Sequence, residues 1–143
     1  MISQDNAALL QAVHTTAEMG KNTLSELLAR SEDPAFSDRI RKQQQTYEQA
    51  ASEARARLLQ GGVTPEKKPL TDAMAAMGLR MNTLLDHSSS HMARMMIEGS
   101  TMGIVELQRQ LNSHPRAEGE ARRMAEKLLA FEEKSVEELK HCL

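Results

Sequence analysis

Aromatic side chains are nearly absent from this chain, which has two Phe, one Tyr and no Trp in 143 residues. Its core must therefore be filled by Leu, Ala, Met and small residues, which lose little rotamer freedom in a helix, while β-branched strand formers are scarce. A single cysteine, Cys142, excludes an internal disulfide and suits a reducing compartment. No apolar run approaches the roughly 20 residues of a membrane span, and residues 1–10 lack the basic flank and apolar stretch of a secretion signal. Neither sign of charge dominates: 18 basic and 20 acidic side chains are interspersed for a net charge of −2, so no field exists to hold a phosphate backbone. The expectation is a cytoplasmic protein with no nucleic-acid partner and no membrane span. At this length the chain fits one domain, 1–143, whose stability requires neither disulfide nor metal.

What is present is helical periodicity between a few breakers. Ser3 or Asp5 can cap a first helix with a face of Leu9, Val13, Thr16, Gly20, Leu24 and Leu27, ending before Ser31-Glu32-Asp33-Pro34. A second helix follows at once with Phe36, Ile40, Gln43, Tyr47, Ala50, Ala54 and Leu58 on its face. Gly61-Gly62 supply its stop. Gln43-Gln44-Gln45 read as helix surface in composition, although Gln43 also falls on the seam. The last helix carries Ala121, Met124, Leu128, Phe131, Ser135 and Leu139, with Glu132 on the edge of that face.

Between them lies a Met-rich segment that Thr71 and Asp72 open and Asn112-Ser113-His114-Pro115 close. Met74, Met77, Met81, Leu84, Ser88, His91, Met95, Glu98, Met102 and Val105 follow one heptad seam. Polar residues at its core positions predict a polar layer, because a buried Ser, His or Glu left unpaired costs about 1–3 kcal/mol. As one helix, residues 71–112 would span roughly 63 Å, against about 40 Å for the others. The unbroken seam favours continuity. The cap-rich Asp86-His87-Ser88-Ser89-Ser90 and the length mismatch favour a break, and a break is expected, with 71–86 as a short crossover helix.

His87 and His91, four apart on a continuous helix, can chelate one metal ion. Glu98 shares their side of the helix but lies about 10 Å further along. Tyr47, Gln43 and Glu132 sit where they can partner His91 from neighbouring helices, either as hydrogen-bond partners of a buried histidine or around a first-row metal such as iron, zinc or manganese. Glu138-Leu139-Lys140-His141 is a lone Glu-x-x-His pair in the last turn and reads as a surface pair. The methionines fall mainly on the apolar seam, where Met fills gaps. Gly99 and Gly103 form a small-residue spacing that lets another helix approach closely. No phosphate loop or nucleophile elbow occurs, and an enzymatic role is not expected.

Ala17-Glu18-Met19-Gly20-Lys21, Ser88-Ser89-Ser90-His91-Met92-Ala93, Glu98-Gly99-Ser100-Thr101-Met102-Gly103-Ile104 and Lys127-Leu128-Leu129 before Glu132-Glu133 resemble small uncharacterised bacterial proteins placed with the ferritin-like helical bundles. The resemblance implies a four-helix bundle with a long connection between its halves and, in some members, a di-iron carboxylate centre. Paired Glu-x-x-His motifs of that centre are missing here. The expected architecture is an all-α, antiparallel four-helix bundle, ferritin-like, with an additional Met-rich helical segment between the second and last long helices. The expected role is structural or in protein interaction and assembly, through self-association or a protein partner on the helix faces, without a cofactor. The alternative is a metal-binding bundle with His91, His87, Glu98, Glu132 and Tyr47 around its polar layer.

Overall fold

Three of the long helices begin at a side chain that accepts from their free N–H groups, as the capping signals predict. In the computed structural model, which describes residues 2–67, 72–82 and 84–143 (backbone only at 73, 74, 78, 81 and 82), Ser3 Oγ accepts from the Asn6 N–H at 3.1 Å to open α1, Gln4–Arg30. Asp33 Oδ1 accepts from Ala35 and Phe36 at 3.0 and 3.4 Å to open α2, Pro34–Gln60, with Pro34 in its first turn. Gly62, at φ +79°, ends that helix. Its N–H donates to Leu59 O and the next N–H, from Val63, to Leu58 O, the crossed pair of bonds that a left-handed residue makes available.

Helix α3 spans Asp72–Asn82, α4 Ser89–Ser113 and α5 Gly119–Leu139, and a short 3-10 turn follows at Lys140–Cys142. Lys68, Pro69 and the expected opener Thr71 lie outside the described residues, as do the side chains of Met74 and Met81. No strand occurs among the described residues. The break between α3 and α4 falls where the serines predict it: Ser88 Oγ accepts from the His91 N–H at 3.2 Å, and Asp86 Oδ1 accepts from the Ser88 N–H at 2.9 Å.

End-to-end contacts give the helix directions. The start of α1 meets the end of α4 through His114 Nδ1 and Asp5 Oδ1 at 3.1 Å, and the start of α5 through the Glu118 N–H, which donates to Asn6 Oδ1 at 3.0 Å. At the opposite end, the Ser89 hydroxyl donates to Asp33 Oδ2 at 3.2 Å. Thus α1 and α5 run one way, α2 and α4 the other. They form two hairpins joined by the crossover from residue 61 to residue 88. The crossover is strapped to α1 by the Gln11 amide, which donates to Thr64 O and accepts from the Glu66 N–H at 3.1 and 3.0 Å.

The faces expected of α1, α2 and α5 are the faces that pack: Leu9, Val13, Leu27, Ile40, Ala54, Leu58, Leu128 and Leu139 are almost fully buried. Helix α4 departs from expectation. Its buried face is Met92, Met96, Ser100, Gly103, Leu107 and Leu111 together with Met95, whereas Ser88 and Val105 are exposed and His91, Glu98 and Met102 only half-buried. The heptad extrapolated from α3 fails because the Ser88 cap restarts the helix. The new helix settles about one residue, or roughly 100°, away from the old phase.

Candidate functional site

A polar layer does cross the bundle, at the mid-height of the long helices and centred on Tyr47 and Glu132. Tyr47 of α2 donates its hydroxyl to Glu132 Oε2 of α5 at 2.9 Å, and both side chains are buried, Glu132 being 1% exposed. Ser100 of α4 lines the same space. Thr16 of α1 and Gln43, one turn before Tyr47 on α2, border the same space. Gln43 is buried, so its stretch is not merely helix surface; of the other two, Gln44 reaches Ser25 Oγ at 2.6 Å and Gln45 is exposed.

Two glycines make the layer possible. A Cβ at Gly20 would lie 2.6 Å from Tyr47 Cε1, so the phenol ring reaches the core only because α1 has no side chain there. A Cβ at Gly103 would come within 3.2 Å of the Glu132 carboxylate and 3.3 Å of Thr16 Cγ2. The small-residue spacing on α4 thus serves close approach at Gly103, while Gly99 faces open space. Phe131 packs edge-on against Tyr47 at 5.2 Å between ring centroids and fixes the ring from the α5 side.

The electrostatics follow from burial. Desolvation raises Glu132 from the ordinary 4.5 to about 7, against the opposing pull of the Ser100 and Tyr47 hydroxyls. Burial first and the Glu132 charge second push the Tyr47 phenol well above its usual range, so it stays a donor. Among the described residues no cation acts on Glu132. Beside it lies a cavity of about 40 Å³, lined at its polar end by Thr16, Gln43, Tyr47, Ser100 and Glu132 and walled by Met19, Met77, Met96 and Met102. Thr16 Oγ1 and Gln43 Nε2 are buried there without a hydrogen-bond partner.

The expected site residues therefore separate into four places. Tyr47 and Glu132 meet in the core. His91 sits in the first turn of α4 with 30% of its side chain exposed, and its Nδ1 lies 4.0 Å from Asp86 Oδ2, far from a buried partnership with Tyr47 or Glu132. His87 lies outside the helix, exposed, its Nε2 3.2 Å from Leu84 O, so the one-turn chelate geometry does not form. Glu98 accepts from Arg80 at 2.7 Å and from Arg94 at 3.3 Å and ties α3 to α4 at the surface. Among the described residues no group of three or more His, Cys, Asp or Glu is placed to hold a metal ion. His141 is exposed and Glu138 pairs loosely with Arg39 and Lys134, a surface arrangement. Sequence reasoning missed Ser100. The signal for it is the helix phase counted from the Ser88 cap, which puts Met92, Met96 and Ser100 on one face.

No family model matches the chain, and no curated protein matches it. Its fold is similar to the crystal structure of a conserved hypothetical protein, rv2844, from Mycobacterium tuberculosis, with a TM-score of 0.70 over 97% of this chain and 96% of that one. At 16% identity the likeness is one of fold alone.

Proposed function

We propose that this chain is a ferritin-like four-helix bundle that works by binding and not by turnover, with the polar layer around Glu132 as its ligand-holding site. The ferritin-like part rests on the helix directions, two hairpins linked by one long crossover, an arrangement that ferritin-like bundles share. The binding part rests on one observation: Thr16 Oγ1 and Gln43 Nε2 are buried without partners beside a cavity that Tyr47, Ser100 and Glu132 also line. Each such atom costs about 1–3 kcal/mol when left unpaired, so an occupant that satisfies them is stabilised in place. A first-row metal, as in the His91 reading, fits these donors poorly, because the layer offers one carboxylate and a phenol that stays protonated while the imidazoles lie elsewhere.

Thermal melts of the full chain with small alcohols, amines, monovalent salts and Zn²⁺, Mn²⁺ or Fe²⁺ test the proposal. At least one should raise the melting temperature of the native protein and lose that effect in Thr16→Val, because an occupant held only by the folded state stabilises it by mass action. A panel in which nothing stabilises the native protein, or nothing distinguishes the variant, would end it.

A second reading, self-association through the crossover, is favoured by Leu79 and Leu85, which are 70% and 94% exposed within seven positions of each other. Single exposed leucines are ordinary, but two on one short segment invite burial against another copy. Sedimentation should then show a dimer that Leu85→Asp dissociates. A native chain that stays monomeric at all concentrations sinks this reading.

A further inference from the structure

Resting on the ligand-holding reading, we infer that the occupant of the cavity beside Glu132 is a monovalent cation of the size of ammonium, potassium or sodium. The donor set carries the argument. The cavity lining includes one carboxylate, from Glu132, and neutral oxygen-bearing groups, among them the Tyr47, Ser100 and Thr16 hydroxyls and the Gln43 amide. Hydroxyl and amide oxygens suit hard cations, and the Gln43 amide presents oxygen in place of its unpartnered nitrogen by a simple flip.

Charge decides the valence. A buried carboxylate with no basic partner is stable only when protonated or when a bound cation balances it. One positive charge beside Glu132 leaves the layer neutral. A divalent ion would leave a net positive charge in a low-dielectric site. Volume agrees with a small occupant: a cavity of about 40 Å³ exceeds the roughly 10–15 Å³ needed for one water. The thioethers of Met19, Met77, Met96 and Met102 wall the cavity without adding charge. Binding exchanges one ion for one proton: the cation enters as the Glu132 carboxyl releases its hydrogen to solvent, so uptake strengthens with pH.

The test compares the full chain at about pH 8 in ammonium, potassium, sodium and choline chlorides at equal ionic strength, choline being the bulky control cation. One of the three small cations should raise the melting temperature above that in choline. At ten times its Kd it multiplies the folding equilibrium constant about elevenfold. The rise should vanish near pH 5 and in Glu132→Gln. Independently of whether that variant folds, adding the effective salt to weakly buffered native protein near pH 7 should release about half a proton per chain, and choline none. Equal melts in all four salts, or an undiminished rise in Glu132→Gln, overturns the inference. If only an alcohol, amine or divalent metal stabilises the protein, the monovalent cation is ruled out while the ligand-holding reading survives.

Discussion

Glu132→Gln is expected to stabilise the chain by about 3 kcal/mol at roughly pH 8.5 in a choline buffer and to leave it little changed below about pH 4.5. The folded-state value of about 7 lies above the ordinary 4.5, so the native protein holds this proton more tightly than the unfolded chain does. Stability from that group is fully present below about 4.5 and is lost as pH rises through about 7. The gap corresponds to about 3 kcal/mol for a side chain that is 1% exposed. Gln copies the neutral acid, still accepts from the Tyr47 hydroxyl and cannot ionise. Other carboxylates also titrate, so the quantity to measure is the difference between the two proteins in urea unfolding across about pH 4 to 9. A difference that stays flat, or that favours the native protein at high pH, would show that Glu132 is ionised and compensated by some other group.

Local chemistry carried most of the architecture into the sequence. Ser3, Asp33-Pro34, Gly61-Gly62 and Ser88 each mark a helix end because each acts on backbone groups within a few residues of itself. The faces of α1, α2 and α5 were legible for a similar reason, since the apolar period runs unbroken from one cap to the next. Helix α4 was not. A seam that starts at Met74 runs through the very residues that end one helix and begin another, so it gives His91 and Glu98 a phase that Ser88 cancels. The seams of α2 and α5 do not cross that cap. Tyr47 and Gln43 are buried where the α2 seam puts them, while Glu132, at the edge of the α5 face, is buried more deeply than Phe131 on it. Their meeting could not be read, because Tyr47 and Glu132 lie 85 positions apart and no local rule sets the height at which α2 and α5 pass each other. The same ignorance hid the purpose of Gly20, which looks like a gap in the face of α1 and is the space occupied by the Tyr47 ring.

That space gives a prediction of opposite signs for one kind of substitution. In a helix interior Gly→Ala ordinarily stabilises by about 1 kcal/mol, because alanine gives up less backbone freedom. Gly99→Ala should follow the rule, for nothing lies within 4 Å of the added Cβ. Gly20→Ala should break it and destabilise by about 2 kcal/mol. The new methyl would sit 2.6 Å from Tyr47 Cε1 and 2.7 Å from Cδ1 and Cζ, too close for any real contact, so the ring must move. Phe131 stands edge-on against the ring at 5.2 Å, and the hydroxyl is committed to Glu132 at 2.9 Å. Any displacement therefore loosens an aromatic contact and strips a buried carboxyl of a donor, which together outweigh the gain in helix propensity. Urea unfolding of both variants at about pH 6 reads the two signs directly. Combining Gly20→Ala with Tyr47→Leu should restore much of the loss relative to Tyr47→Leu alone, because the smaller side chain vacates the space that the methyl needs. Equal stabilisation by Gly20→Ala and Gly99→Ala would mean that the Tyr47 ring is free to swing aside, and the rigid polar layer built on it would have to be abandoned.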